Sequence, residues 1–165
     1  MYQESAVFFP SRPDYEVPAA CSHGYTIRLA RPEDVDAIDE MMHAITAALE
    51  QPDTFVADDR AFIEEVVCRS GFGLMAFAVT GEAAGFLLVS APGPSHSNLG
   101  RDLGLEGAAL SAVIQMESVA VLPAHRGHRL EKSLLLAAHC LPDELPSENQ
   151  LPSENQLPSE NQLLS

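Results

Sequence analysis

The residues most able to do chemistry lie close together in Val119-Ala120-Val121-Leu122-Pro123-Ala124-His125-Arg126-Gly127-His128-Arg129-Leu130-Glu131-Lys132. Three of the chain's nine Lys+Arg (Arg126, Arg129, Lys132) and two of its six His (His125, His128) fall within eight residues. The apolar run before Pro123 predicts a buried strand, and the run from Leu130 predicts a helix, so these cations sit at a strand–turn–helix junction. A helix N-terminus offers unpaired N–H groups and the positive end of its dipole, and so collects phosphate. The junction is a candidate anion site. The alternative is a solvated helix start whose charges only keep the surface wet.

Other chemistry-bearing residues are poorer in partners. His43 and His96 stand alone and read as surface or loop residues. Ser118 near His125 has no G-x-S-x-G elbow around it, so a hydrolase is not indicated. Cys21, Cys68 and Cys140 are odd in number, far apart and without metal-ligand spacing. Neither a disulfide framework nor a metal site is expected.

The elements that must hold the junction can be read on either side of it. Tyr25-Thr26-Ile27-Arg28-Leu29 alternates and predicts a first strand. Arg31-Pro32-Glu33-Asp34 then places Pro and acids where a helix begins. Val35, Ile38, Met41, Met42, Ile45 and Leu49 give that helix one apolar face. Asp58-Asp59 opens a second helix carrying Phe62, Val66 and Val67, stopped by Ser70-Gly71. The dense runs 72–79 and 84–90, joined by Thr80-Gly81-Glu82, predict an antiparallel hairpin. Residues 91–114 read as a loop with one helical turn, in which Asn98 to Leu105 is either a lid or a surface crossing. Met116–Val121 is the fourth strand and Leu130–Ala138 the third helix. The order β1-α1-α2-β2-β3-β4-α3 predicts an α/β layer arrangement on a mixed sheet.

Composition narrows the function. The 165 residues carry a formal charge of −15, which argues against nucleic acid or an anionic membrane as a partner. The N-terminal run is short and carries an acid where a leader would be basic, and a reducing cytoplasm is the expected location. Residues 1–24, with Pro10, Pro13 and Pro18, read as an irregular arm in which Phe8 and Phe9 pack on the domain of residues 25–140. Residues 141–165 hold Leu-Pro-Ser-Glu-Asn-Gln three times in tandem, after a degenerate Leu141-Pro142-Asp143-Glu144. A Pro in every unit argues against a β-solenoid, so a disordered low-complexity tail is expected.

The run Glu117-Ser118-Val119-Ala120-Val121-Leu122-Pro123-Ala124-His125-Arg126-Gly127-His128-Arg129-Leu130 resembles motif A of the GNAT N-acetyltransferase superfamily, a strand ending in V-x-P followed by (Q/R)-x-x-G-x-(G/A) at a helix start. Tyr25 to Asp34 resembles that family's opening, and the element order agrees over residues 25–140. The resemblance implies that acetyl-CoA is the co-substrate. The N–H groups of Arg126, Gly127, His128, Arg129, Leu130 and Glu131 would cradle its pyrophosphate, and Lys132 would assist. The backbone of Ser118, Val119, Ala120 and Val121 would bond the pantetheine arm and polarise the thioester carbonyl. An amine then attacks that carbonyl directly. An alkylamine with a pKa of ~10 needs a base at neutral pH, and Glu117 is the candidate. The plainer reading of Glu117 is a strand-end carboxylate or salt-bridge partner.

Two positions depart from the pattern. Arg129 stands where the family has a glycine, and Glu131 where it has a small residue. Glycine serves there because backbone approaches phosphate closely and takes positive φ. Arg129 adds bulk but also a guanidinium able to pair with phosphate. The family also continues with a fifth strand, a helix that supplies a Tyr acid, and a closing hairpin, none of which is legible after Cys140. Leu130, Leu134 and Leu135 are then expected to lose packing, and an open sheet edge predicts self-association. Two readings follow: an N-acetyltransferase acting on a small-molecule or peptide amine, or a truncated, catalytically impaired relative that serves as a ligand- or protein-binding module.

Overall fold

A computed structural model describes residues 24–51 and 56–144. The proposed arm and the Leu-Pro-Ser-Glu-Asn-Gln repeats lie outside the described residues. The two dense apolar runs form β2 (Gly71–Ala78) and β3 (Ala83–Ser90), the central strands of a four-stranded sheet. β1 (Tyr25–Leu29) pairs with β2 on one side, and β4 (Gln115–Val121) pairs with β3 on the other. The α/β layering is as expected. The described sheet, however, is antiparallel throughout rather than mixed. Each strand returns along its neighbour, and no parallel partner stands among the described residues.

Alternation along the strands sorts the side chains into two cores. On one face Leu29, Leu74, Leu87 and Val121 pack with Leu130, Leu134 and Leu141 of α3 (Leu130–Glu144). On the other, Met75, Phe86, Leu88 and Ala120 pack with Ile38 and Met42 of α1 (Val35–Ala47) and Ile63 of α2 (Arg60–Glu65). Burial on both faces explains why β2 and β3 read as unbroken apolar runs. β4 lies so close to β3 at Gly85 that a Cβ there would stand 2.7 Å from the Ala120 carbonyl oxygen.

Local chemistry sets the helix ends. Arg28 grips Asp34 through two hydrogen bonds of 2.6 and 2.9 Å, and the Arg31 N–H donates to the same carboxylate at 2.7 Å, fixing the approach to α1. Asp59 caps α2 by accepting the Phe62 N–H at 2.8 Å. The chain then continues as a π-helical turn, Val66–Ser70, straight into β2.

Three expectations need correction. Leu49 falls beyond the end of α1. The 91–114 segment holds two helical pieces, Leu99–Arg101 and Gly107–Ser111, rather than one turn. α3 runs through Glu144 instead of stopping at Ala138, and so crosses the expected boundary at residue 140. The reason is that Leu130, Leu134, Ala137, Ala138 and Leu141 continue one helical face into the core. Leu130 and Leu134 are accordingly fully buried, not uncovered; Leu135 is half-buried and Leu136 is exposed on the outer face.

Candidate functional site

β4 is an edge strand among the described residues, hydrogen-bonded to β3 alone. Its side chains are divided between the two cores. Val119 and Val121 face α3, and Ala120 faces α1. The sequence-predicted strand residues Ser118 to Val121 therefore present an unpaired backbone edge between two filled layers.

The register of β4 against β3 slips between Leu88 and Val89. Ser118 pairs with Leu88 and Met116 with Val89, which leaves Glu117 as the extra, bulged residue. The bulge aims the Glu117 side chain at Ser90. Its Oε1 accepts hydrogen bonds from the Ser90 hydroxyl and from Gln115 Nε2, the latter at 3.2 Å. The Gln115 amide is turned by its other end, because its oxygen accepts the Leu99 N–H at 2.6 Å. Leu99 belongs to a loop that buried Asn98 ties together, donating to the carbonyls of Gly93 (2.6 Å) and Leu110 (2.8 Å). Asn98 to Leu105 is thus anchored at its first residue and coupled to the candidate base.

Ser118 takes part through its side chain as well as its backbone. Its hydroxyl donates to Asp58 Oδ2 at 2.7 Å. The Asp58 N–H in turn meets the Met42 sulfur at 3.1 Å. Two carboxylates, Glu117 and Asp58, consequently flank the same stretch of β4.

After Val121 the chain turns sharply. Pro123–His125 forms a single helical turn, and the Arg126 N–H donates to the Pro123 carbonyl at 3.3 Å. Arg126 was expected to offer that N–H to the anion; it is already engaged, and the guanidinium Nε folds back on the Val121 carbonyl at 3.3 Å. The next N–H to find an internal acceptor is that of Ser133, which donates to the Arg129 carbonyl at 3.1 Å. Between them, the N–H groups of residues 127–132 have no acceptor among the described residues. They make up the candidate cradle at the strand–turn–helix junction.

The turn needs left-handed backbone at two places. Gly127 has φ +83 and Arg129 φ +59. Gly127 meets that need without strain. Arg129 is the only described non-glycine residue with positive φ, and it stands where the motif has glycine. The exposed Arg129 and Lys132 side chains show no acidic partner among the described residues, so they leave a positive rim around the cradle. Glu131 is half-buried in the first turn of α3.

Glu117 and the turn occupy opposite ends of β4. Four residues of strand rise separate Glu117 from Val121, about 13 Å. An extended arm lying on the β4 edge, with its anionic end on the turn, would bring its other end to Glu117.

Sequence reasoning missed Asp58, Ser90 and Gln115 as neighbours of the site. Asp58 carried a signal, as a helix opener, but its reach to Ser118 spans 60 residues. Ser90 and Gln115 carried none, because the bulge that brings Glu117 to them is a product of strand register.

No protein-family model and no curated protein sequence matches this chain. Solved structures do. NAA60 of Arabidopsis thaliana, determined in complex with acetyl-CoA, superposes with a TM-score of 0.52 at 15% identity, over 74% of this chain and 71% of that one. A ribosomal-protein-alanine N-acetyltransferase from Brucella melitensis biovar Abortus gives 0.47 at 22% identity, over 73% and 74%. An aminoglycoside acetyltransferase from an uncultured soil sample gives 0.48 at 16% identity, over 72% of each. The fold is that of the GNAT acetyltransferases.

Proposed function

We propose that this chain transfers an acetyl group from acetyl-CoA to the amine of a small-molecule or peptide acceptor. One observation supports the reading above the others. An edge strand ends at a cradle of free N–H groups and carries a carboxylate at its other end, in a fold shared with NAA60, a protein whose structure holds acetyl-CoA.

Each residue has a role in this reading. The N–H groups of Gly127, His128, Arg129, Leu130 and Glu131 bind the pyrophosphate, with Lys132 and the Arg126 and Arg129 guanidinium groups adding charge. The pantetheine arm pairs with the backbone of Ser118 to Val121 as an added strand. A β4 N–H polarises the thioester carbonyl. Glu117 takes a proton from the acceptor ammonium, directly or through water, and the amine nitrogen attacks the carbonyl carbon. The carbon–sulfur bond then breaks, and the extra proton on the attacking nitrogen passes to the departing thiolate, leaving the amide and coenzyme A.

Arg129 favours a second reading, that of a catalytically impaired relative, since a long side chain on left-handed backbone rims the cradle. A crystal structure with coenzyme A tests both. The diphosphate is expected on the N–H groups of residues 127–132; a ligand bound elsewhere, or none, overturns the first reading.

A further inference from the structure

We infer that Tyr25 is a positioning residue for the anion-binding turn, acting through His125. The inference rests on the turn being the coenzyme site, and it concerns residues that no motif connects. β1 and β4 are the two outer strands of the sheet, with β2 and β3 between them. The turn after β4 nevertheless reaches the start of β1, where the Tyr25 hydroxyl meets His125 Nδ1 at 3.0 Å.

Several contacts converge on this pair. The His125 side chain is only 12% exposed, and its ring stands edge-on to Tyr25 with centroids 5.7 Å apart and planes at 86°. The His128 ring approaches the same tyrosine at 5.7 Å, tilted by 56°. His128 Nδ1 also lies 3.2 Å from the His125 carbonyl oxygen. On the far side of the imidazole, His125 Nε2 faces Glu82 Oε2 at 4.0 Å, in the β2–β3 turn. In the neutral tautomer with its hydrogen on Nε2, the ring leaves Nδ1 to accept from the Tyr25 hydroxyl.

Tyr25 thereby touches His125, which precedes the cradle, and His128, which belongs to it, one on each side of Gly127. A turn with left-handed residues at 127 and 129 has other conformations open to it. Anchoring residues 125 and 128 from outside selects the one in which the N–H groups converge, before any ligand arrives.

The test is Y25F, which keeps the ring and removes the hydroxyl, alongside H125N and H125L. Acetyl-CoA is titrated into each by calorimetry, and amide exchange of residues 125–130 is followed in the ligand-free proteins. Y25F and H125L are expected to bind about three- to tenfold more weakly, the worth of one hydrogen bond, and to exchange faster in the turn with unchanged circular dichroism. H125N, which keeps a polar atom near the Nδ1 position, should recover part of both, which a packing role would not give. Wild-type affinity and wild-type exchange in Y25F overturn the inference. If the wild type binds no acetyl-CoA, the proposed function fails, while turn exchange still decides whether Tyr25 orders the turn.

Discussion

The hydroxyl of Ser118 donates a 2.7 Å hydrogen bond to the carboxylate of Asp58, joining β4 to the segment that leads into α2. The two residues are 60 positions apart, and the bond falls beside the bulge at Glu117. It fixes the α1–α2 layer against the strand that carries the candidate site.

S118A removes the donor and leaves a half-buried carboxylate without it, and should lower stability by about 1–2 kcal/mol. D58N keeps an oxygen able to accept from Ser118 and should lose less. Urea unfolding midpoints at unchanged m-values check the order. Equal midpoints for S118A and the wild type would show that the bond contributes nothing.

Arg129 yields a second prediction. A non-glycine residue in left-handed backbone is strained by about 1–2 kcal/mol relative to glycine. R129G should therefore be more stable than R129A by about 1 kcal/mol, the reverse of their order inside a helix. Thermal melts of both variants measure it. R129A melting above R129G would mean that residue 129 does not hold positive φ in solution.

The Arg28–Asp34 pair gives the pH dependence. Burial pushes the Asp34 carboxyl pKa up, but hydrogen bonds from Arg28 and the Arg31 N–H, with the charges of both arginines, outweigh it. The net shift is downward. A folded-state pKa below the unfolded value of about 3.9 means that this stability is fully present above that pH and is lost as pH falls through the folded value. D34N should cost about 1.5–3 kcal/mol at pH 7 and flatten the acid limb of stability against pH. A wild-type acid limb in D34N would remove the pair from the account.

These residues also show what the sequence could and could not reveal. The apolar spacing of Val35 to Ile45 and the unbroken runs of β2 and β3 were legible because burial repeats with the period of each element. Arg129 was legible as an anomaly, since one motif position demands backbone that only glycine takes freely. The end of α3 was masked by composition: Leu141 continues the helical face, yet Leu141-Pro142-Asp143-Glu144 looks like the repeat that follows. Ser90, Gln115 and Asp58 were not legible as site residues. Their approach to β4 depends on a one-residue slip in register and on how α2 is laid over the sheet, neither of which leaves a local pattern.

Glu117 supplies the catalytic prediction. Because it lies at the opposite end of β4 from the turn, E117Q should slow acetyl transfer by about 10²- to 10⁴-fold while the Kd for acetyl-CoA stays within about twofold of wild type. Single-turnover kinetics and binding isotherms on the same preparation separate the two quantities. Wild-type turnover in E117Q would assign the proton to another group.

The central claim is that the turn from Gly127 to Lys132 grips the diphosphate of a coenzyme. Its most direct measurement is a calorimetric titration of acetyl-CoA into the full chain, with coenzyme A as competitor. A saturable, micromolar isotherm that coenzyme A displaces is expected. An absence of heat from protein with an intact circular dichroism spectrum would contradict it.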